Sequence, residues 1–214
     1  TLDGSEPSES IGMIYDDPIN INDTTVLRAI AYKDNYTSTN VDTQTYLFPE
    51  KVAVQTNSPS GYPSSWGGVS ADYGMDNDPV DFRRAAGDAN HSLSSAKSAI
   101  ADSLKSITTI SIVTHKDNIF DRSRGIYQNP SGRGSQWERP VSVEIINGEG
   151  ADDYQTDAGI RVMGFTSRNL STTTKLNMRL LFKKEYGDSK MKYPLLGSEG
   201  PDEFNNIAGT SAKT

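Results

Sequence analysis

The chain has 214 residues, and 34% of them are hydrophobic, which is enough for a core. No apolar stretch approaches the roughly 20 residues that span a bilayer, so we expect no membrane span. It contains no cysteine, which excludes disulfide frameworks, thiolate metal sites and cysteine nucleophiles. The net charge of −7 is uneven: residues 1–90 hold 14 acidic and 5 basic residues, and this acidic half argues against a nucleic-acid partner, which requires a basic surface.

The first segment shows short strand-like stretches separated by turns, at residues 19–21, 24–32 and 43–48. Its residues resemble the C-terminal β-module of chitobiases and β-hexosaminidases, also called fibronectin type III-associated, through Thr-Leu-Asp-Gly-Ser-Glu-Pro at the start and Thr-Val-Leu-Arg-Ala from residue 25. The resemblance implies a partial β-sandwich over residues 1–48. A spacer function is favoured here over sugar binding, because the sequence indicates no exposed aromatic platform.

Residues 49–91 are rich in Pro, Gly, Ser, Asn and Asp, which is typical of loops. Large apolar side chains within this stretch, above all Trp66, predict a connector that packs on the next domain. Oxygen ligands at close spacing make a weak calcium site, for which the candidates are Asp72, Asp76, Asp78 and Asp81. The alternative, a solvated acidic loop, is favoured because the Asp-rich run lacks the EF-hand pattern.

From residue 92 to residue 107 the apolar side chains recur at three- and four-residue spacing, which predicts one amphipathic helix. A buried strand is expected at residues 110–113, a helical turn at 117–121, and further strands at 141–146, 159–164 and 176–183. The predicted fold class is α+β and β-rich, with a mixed sheet and at least one covering helix after the partial sandwich.

The second half also carries a series of short motifs in a fixed order. They run from Asn-Ile-Phe at 118, through Gly-Ile-Tyr-Gln-Asn-Pro at 125, Trp-Glu-Arg-Pro at 137 and Gly-Ile-Arg-Val at 159, to Arg-Leu-Leu-Phe-Lys at 179 and Tyr-Pro-Leu at 193. This order resembles the N-terminal part of a spore-coat-protein-H-like (CotH-like) kinase domain. The resemblance covers residues 92–214 and gives three predicted parts, 1–48, 49–91 and 92–214.

The CotH-like family transfers the γ-phosphate of ATP to serine in secreted or coat proteins, so the resemblance implies ATP with Mg or Mn as cofactors. Phosphoryl transfer requires cations around the phosphates. Four basic residues lie where the family places strands near the nucleotide, and they are the phosphate-contact candidates: Arg161, Lys175, Arg168 and Arg179. The alternative is an ordinary solvated strand face, which basic residues commonly fill.

No catalytic residue is assigned, because the family's catalytic Asp and Asn motifs lie downstream of the Tyr-Pro-Leu element and have no counterpart here. We therefore expect part of an exported, extracellular or cell-surface protein that is inactive as this chain. Its partner would be a secreted or surface protein, as substrate or in assembly. The alternatives are a structural or adhesive surface protein that self-associates, and a carbohydrate-binding accessory module.

Overall fold

The computed structural model describes residues 1–75, 93–147, 153–171 and 174–209. The chain forms two compact units, each assembled from separate stretches of sequence. Unit 1 comprises Thr1–Tyr62, Tyr73–Ile110 and Ile145–Asp153, and unit 2 comprises Pro63–Asp72, Ser111–Glu144 and Tyr154–Thr214. The predicted α+β, β-rich class is confirmed, with strands outnumbering the three α-helices of the described residues. None of those helices is long and apolar enough to cross a membrane.

The first sheet lies in unit 1 and has two antiparallel strands, β1 (Thr25–Ala29) and β2 (Asp42–Tyr46). Arg28 fixes the start of the chain against them: its backbone N–H donates to the Thr1 carbonyl, and its buried guanidinium donates to the Thr43 hydroxyl at 3.2 Å and the Gly4 carbonyl at 3.3 Å. The strands predicted at residues 24–32 and 43–48 are confirmed as β1 and β2, each in shorter form.

The third predicted strand of this segment, at residues 19–21, is wrong, because these residues have no strand conformation. The preceding Pro18 has no N–H to donate to a ladder. The neighbouring Asn20 and Asn22 favour turns over extended pairing.

Two helices of unit 1 pack together: α1 (Pro49–Val52) and α2 (Leu93–Ser106). Their contact is a small core formed by Ala53, Ile100 and Ala101, against which Met75 and Leu104 pack. The predicted helix over residues 92–107 is confirmed within one residue at each end. Ile107, the last apolar residue of the predicted helix, lies just after the observed helix and is 53% exposed, so it is not part of this core.

A curled five-stranded sheet comprises β5 (Thr109–Val113), β6 (Arg139–Ile146), β7 (Tyr154–Val162), β8 (Met178–Leu181) and β11 (Asn206–Gly209). Its strand order is β11-β8-β7-β6-β5. β8 pairs antiparallel with both β7 and β11. Four of these strands, β5 to β8, were predicted. β5 was expected to be buried, but its Ile112 is 42% exposed, because alternate side chains of a strand point to opposite faces.

The interior of this sheet is built from β-branched and small side chains on β6 and β7, including Val143, Ala158 and Ile160, each at most 3% exposed. Ser142 and Glu144 alternate with the valines of β6 and are buried as well. β6 is therefore covered on both faces. A separate two-stranded ladder joins β9 (Met191–Lys192) and β10 (Glu203–Phe204).

The stretch Pro63–Asp72 forms a small hairpin of β3 (Ser65–Trp66) and β4 (Val69–Ser70) inside unit 2. Trp66 is 3% exposed, stacks on Phe120 at 5.9 Å, meets Tyr127 edge-on at 4.9 Å, and donates its indole N–H to the Thr174 carbonyl. Phe120 ends the short helix α3 (Lys116–Phe120), which was predicted as a helical turn. Trp66 is buried, as the size of its side chain predicts. The segment that contains it, residues 49–91, was expected to be mostly loop, and the hairpin was not predicted.

Candidate functional site

A buried carboxylate, Glu138, stands at the centre of a cluster of cations in unit 2. Its side chain is 1% exposed. One carboxylate oxygen accepts a hydrogen bond from the Arg161 guanidinium at 3.2 Å. The other accepts from the Lys183 ammonium at 2.5 Å and from the Tyr186 hydroxyl at 3.2 Å. Because a buried charge is costly unless it is paired and hydrogen-bonded, these three donors are what permits the carboxylate to lie inside.

The surrounding secondary structure places each member of this cluster. Glu138 follows a 3₁₀ turn, Ser135–Trp137, immediately before β6. Arg161 lies near the end of β7, while Lys183 and Tyr186 belong to the turn after β8, which closes through a bond from the Tyr186 N–H to the Lys183 carbonyl. The turn can lie close to β7 because residue 159 is glycine, where a Cβ would come within 2.4 Å of the Tyr186 ring.

Tyr186 acts in this cluster as a neutral donor. Burial raises its pKa first of all, and the neighbouring carboxylates of Glu185 and Glu138 raise it further through hydrogen bonding and charge. The phenol therefore keeps its proton at neutral pH and donates a hydrogen bond to Glu138.

Arg179 is a further cation on the strand next to Arg161. It lies directly opposite Arg161 in the antiparallel register of β7 and β8, where side chains share one face and like charges repel. Its Nε is buried and has no hydrogen-bond partner in the described part of the chain. Two cations, Arg161 and Lys183, thus contact one buried carboxylate, and Arg179 lies opposite Arg161 on the neighbouring strand. The exposed Glu185 is a second counter-ion of Lys183.

The structure assigns different surroundings to the other two predicted phosphate contacts. Arg168 donates to the backbone carbonyls of the loops around it, at 2.6 to 2.7 Å, with Gly164, Pro130, Gly132 and Val162 as the four acceptors. Four of its five N–H groups are therefore occupied. Burial, with Arg133 and Arg161 nearby, lowers the Arg168 pKa. Its geometry is that of a residue that fixes loops.

Lys175 pairs with Asp72, whose carboxylate lies 3.7 Å from the ammonium and also accepts from the Thr174 hydroxyl at 3.0 Å. Asp72 is therefore engaged as a counter-ion. The other candidate calcium ligands, Asp76, Asp78 and Asp81, lie outside the described residues. Among the described residues there is no group of three acidic or histidine side chains that could hold a metal ion.

The sequence indicated no role for Glu138, Lys183 or Tyr186, although Glu138 and Lys183 lie in the motifs that carry the CotH-like resemblance and Tyr186 lies between the last two of them. One sequence signal could have identified Glu138: an acidic residue placed between an aromatic turn and the apolar strand Val141 to Ile146 has to be neutralised by a partner. The identity of that partner depends on strand register, which no sequence spacing specifies.

Comparison with known families supports the N-terminal module. The family model described as Fn3 associated matches residues 1–46, and modules of this family are typical of extracellular proteins. No curated protein and no solved structure matches the chain. The match covers the part of the chain that contains β1 and β2.

Proposed function

We propose that this chain is part of an exported cell-surface protein and that its second unit binds the phosphates of a nucleotide on a CotH-like scaffold. The observation that carries the proposal is the pairing of Arg161 and Lys183 with the buried Glu138, together with Arg179 opposite Arg161 in the strand register. The fibronectin-associated match of residues 1–46 supports the extracellular assignment.

A buried carboxylate that holds a lysine and an arginine gives these cations fixed positions, which is what phosphate recognition requires. In protein kinases a lysine held by a glutamate contacts the nucleotide phosphates. Here Glu138 holds Lys183, whose side chain is 36% exposed, and Arg161, whose side chain is 26% exposed, so both cations are partly accessible from solvent. Charge-assisted hydrogen bonds from such groups to phosphate are short and strong.

The residues present fit the anion better than the metal. ATP would supply the phosphates that balance the excess of positive charge, and Arg179, with its unpartnered Nε, is a further donor beside them. Magnesium or manganese bound with a nucleotide takes one or two protein carboxylates beside the phosphates, and the carboxylate nearest these cations, Glu138, is already engaged by three donors. The proposal therefore concerns phosphate binding, with a secreted or surface protein as the partner that the family resemblance implies.

Calorimetry with ATP, with and without magnesium or manganese, tests the proposal. Lys183→Gln and Arg179→Gln are each expected to weaken binding about tenfold, equivalent to about 1.4 kcal/mol. The matched control is Lys190→Gln, because Lys190 is also paired with a glutamate, Glu203 at 2.6 Å, but lies beside the separate β9–β10 ladder. This control should bind as the unaltered protein does.

Two results contradict the proposal. The first is the absence of heat with ATP in every condition, and the second is an equal loss of affinity in Lys190→Gln. The first result makes a structural or adhesive function the better explanation, and sedimentation of the same sample would then be expected to show self-association. The second result means that ATP binds without the cations held by Glu138.

A further inference from the structure

The turn after β7, in unit 2, holds an exposed phenylalanine beside an arginine. Phe165 is 80% exposed, and the Arg133 guanidinium lies over its ring, 5.9 Å from the ring centre. Arg133 is exposed as well, and within the described part of the chain its side chain makes no hydrogen bond or ion pair. These two residues form the Arg–Phe surface, which places a flat apolar ring next to an unpaired cation.

Arg168 fixes the Arg–Phe surface in place, because it joins the loop that carries Arg133 to the turn that carries Phe165. Its guanidinium donates to backbone carbonyls on both sides, each at 2.7 Å, with Pro130, Gly132 and Gly164 as the acceptors. Its backbone N–H donates to the Phe165 carbonyl at 3.4 Å and closes the turn. The backbone that presents the ring is therefore ordered before any ligand arrives, which lowers the entropy cost of binding.

The charge around this surface is positive, although the chain is negative overall. Unit 1 holds 17 acidic and 7 basic residues, whereas unit 2 holds 11 acidic and 14 basic residues. Among the described residues, neither Arg133 nor Arg168 has a carboxylate partner. The carboxylate of Glu138 is engaged by Arg161 and Lys183. The Arg–Phe surface therefore attracts an anion.

We propose that the Arg–Phe surface binds an acidic segment of a partner protein, in which carboxylates flank an apolar side chain. A carboxylate pairs with the planar fork of the Arg133 guanidinium, and the apolar side chain packs on the open Phe165 ring. Aromatic residues and arginine are enriched in protein interfaces, where lysine is depleted, and aromatic residues and arginine also lead the binding hot spots. Such binding uses none of the contacts that Glu138 makes and requires no nucleotide.

The net charge and the ring together favour a short acidic segment over other anions. A nucleic acid, a sulfated glycan or an anionic membrane presents many negative charges, and a chain with a net charge of −7 repels such extended ligands. A free phosphate ion would pair with Arg133 but leave Phe165 without a contact. A short peptide satisfies both groups with few negative charges.

Fluorescence anisotropy of the whole chain with short labelled peptides tests the proposal. A peptide with one phenylalanine flanked by glutamates is expected to bind, and to bind more weakly as salt is added, while the same peptide with lysines in place of glutamates is not. Phe165→Ala and Arg133→Gln should each weaken binding about tenfold. The matched controls are Leu196→Ala and Lys192→Gln, which remove an exposed apolar and an exposed basic side chain of unit 2 at or near β9, and both should bind as the unaltered protein does.

Four results would overturn the proposal: no binding of the glutamate peptide, equal binding of the lysine peptide, tighter binding of a single-stranded oligonucleotide, or an equal effect of the control substitutions. Because Phe165 is largely exposed, Phe165→Ala should leave the urea unfolding midpoint unchanged, so a loss of peptide binding is not a loss of the fold.

ATP binding separates this proposal from the phosphate proposal. Phe165→Ala should bind ATP as the unaltered protein does, and a loss of ATP binding in this variant would place the ring against the nucleotide and overturn the peptide site. If the unaltered protein binds the glutamate peptide but not ATP, the phosphate proposal alone fails.

Discussion

Replacing Glu138 with Gln removes the charge from a side chain that is 1% exposed and leaves its shape nearly intact. The Arg161 guanidinium and the Lys183 ammonium then lose their common counter-ion. Breaking a buried ion pair costs about 3 to 5 kcal/mol, and because the two cations keep 26% and 36% exposure and are partly hydrated, we expect about 3 kcal/mol.

Urea unfolding followed by tryptophan fluorescence measures the loss in the free energy of unfolding of unit 2. The chain has two tryptophans, Trp66 and Trp137, and both belong to unit 2 together with Glu138. With a denaturant slope of about 2 kcal/mol per molar urea, a loss of about 3 kcal/mol lowers the unfolding midpoint by about 1.5 M.

Glu185→Gln is the matched control for this measurement. Glu185 is also paired with Lys183, at 3.7 Å, but its side chain is 58% exposed. A solvent-exposed pair contributes at most about 1 kcal/mol, so the midpoint should move far less. If Glu138→Gln and Glu185→Gln shift the midpoint equally, the reasoning that the buried carboxylate holds the cluster together is refuted.

Two further predictions concern a steric clash and pH. Gly67→Ala should destabilise unit 2 more than Gly68→Ala in the same urea assay. Both glycines have positive φ, but only a Cβ at residue 67 would approach another atom closely, Leu170 Cδ1 at 2.2 Å. Equal effects of the two substitutions would contradict the clash. Hydrogen bonds from the Ser123 hydroxyl and the Arg124 backbone N–H lower the pKa of Asp121 to about 2. The contribution of this carboxylate to stability is therefore present above pH 3.8 and is lost as the pH falls towards 2. Carboxyl NMR titration of Asp121 should show this low pKa, and an ordinary value near 3.8 would contradict the prediction.

Local periodicity predicted much of the fold. The helix over Leu93–Ser106 and strands such as β6 were found because apolar spacing reports directly on which face of an element is buried. The hairpin of β3 and β4 was missed because each strand has two residues, too few for any period to show. Its one visible signal was Trp66, whose size predicted burial but not partners.

The candidate site was predicted less well, because it depends on contacts between distant residues. Arg161 and Arg179 were singled out from the sequence, and the register of β7 and β8 places them opposite each other. Nothing in the sequence showed that Arg168 would be occupied by four backbone carbonyls, since those acceptors are defined only once the loops have folded. Likewise, Glu138 draws its partners from 23 to 48 residues downstream.

The hairpin that carries Trp66 also has a consequence for synthesis on the ribosome. Its indole donates to a carbonyl 108 residues later in the chain, at Thr174, and its aromatic neighbours Phe120 and Tyr127 also follow it in sequence. Contacts this far apart form late. Throughout translation of the intervening segment, the nascent chain therefore presents an unburied tryptophan, and chaperone binding to this protein should concentrate there until residue 174 has emerged.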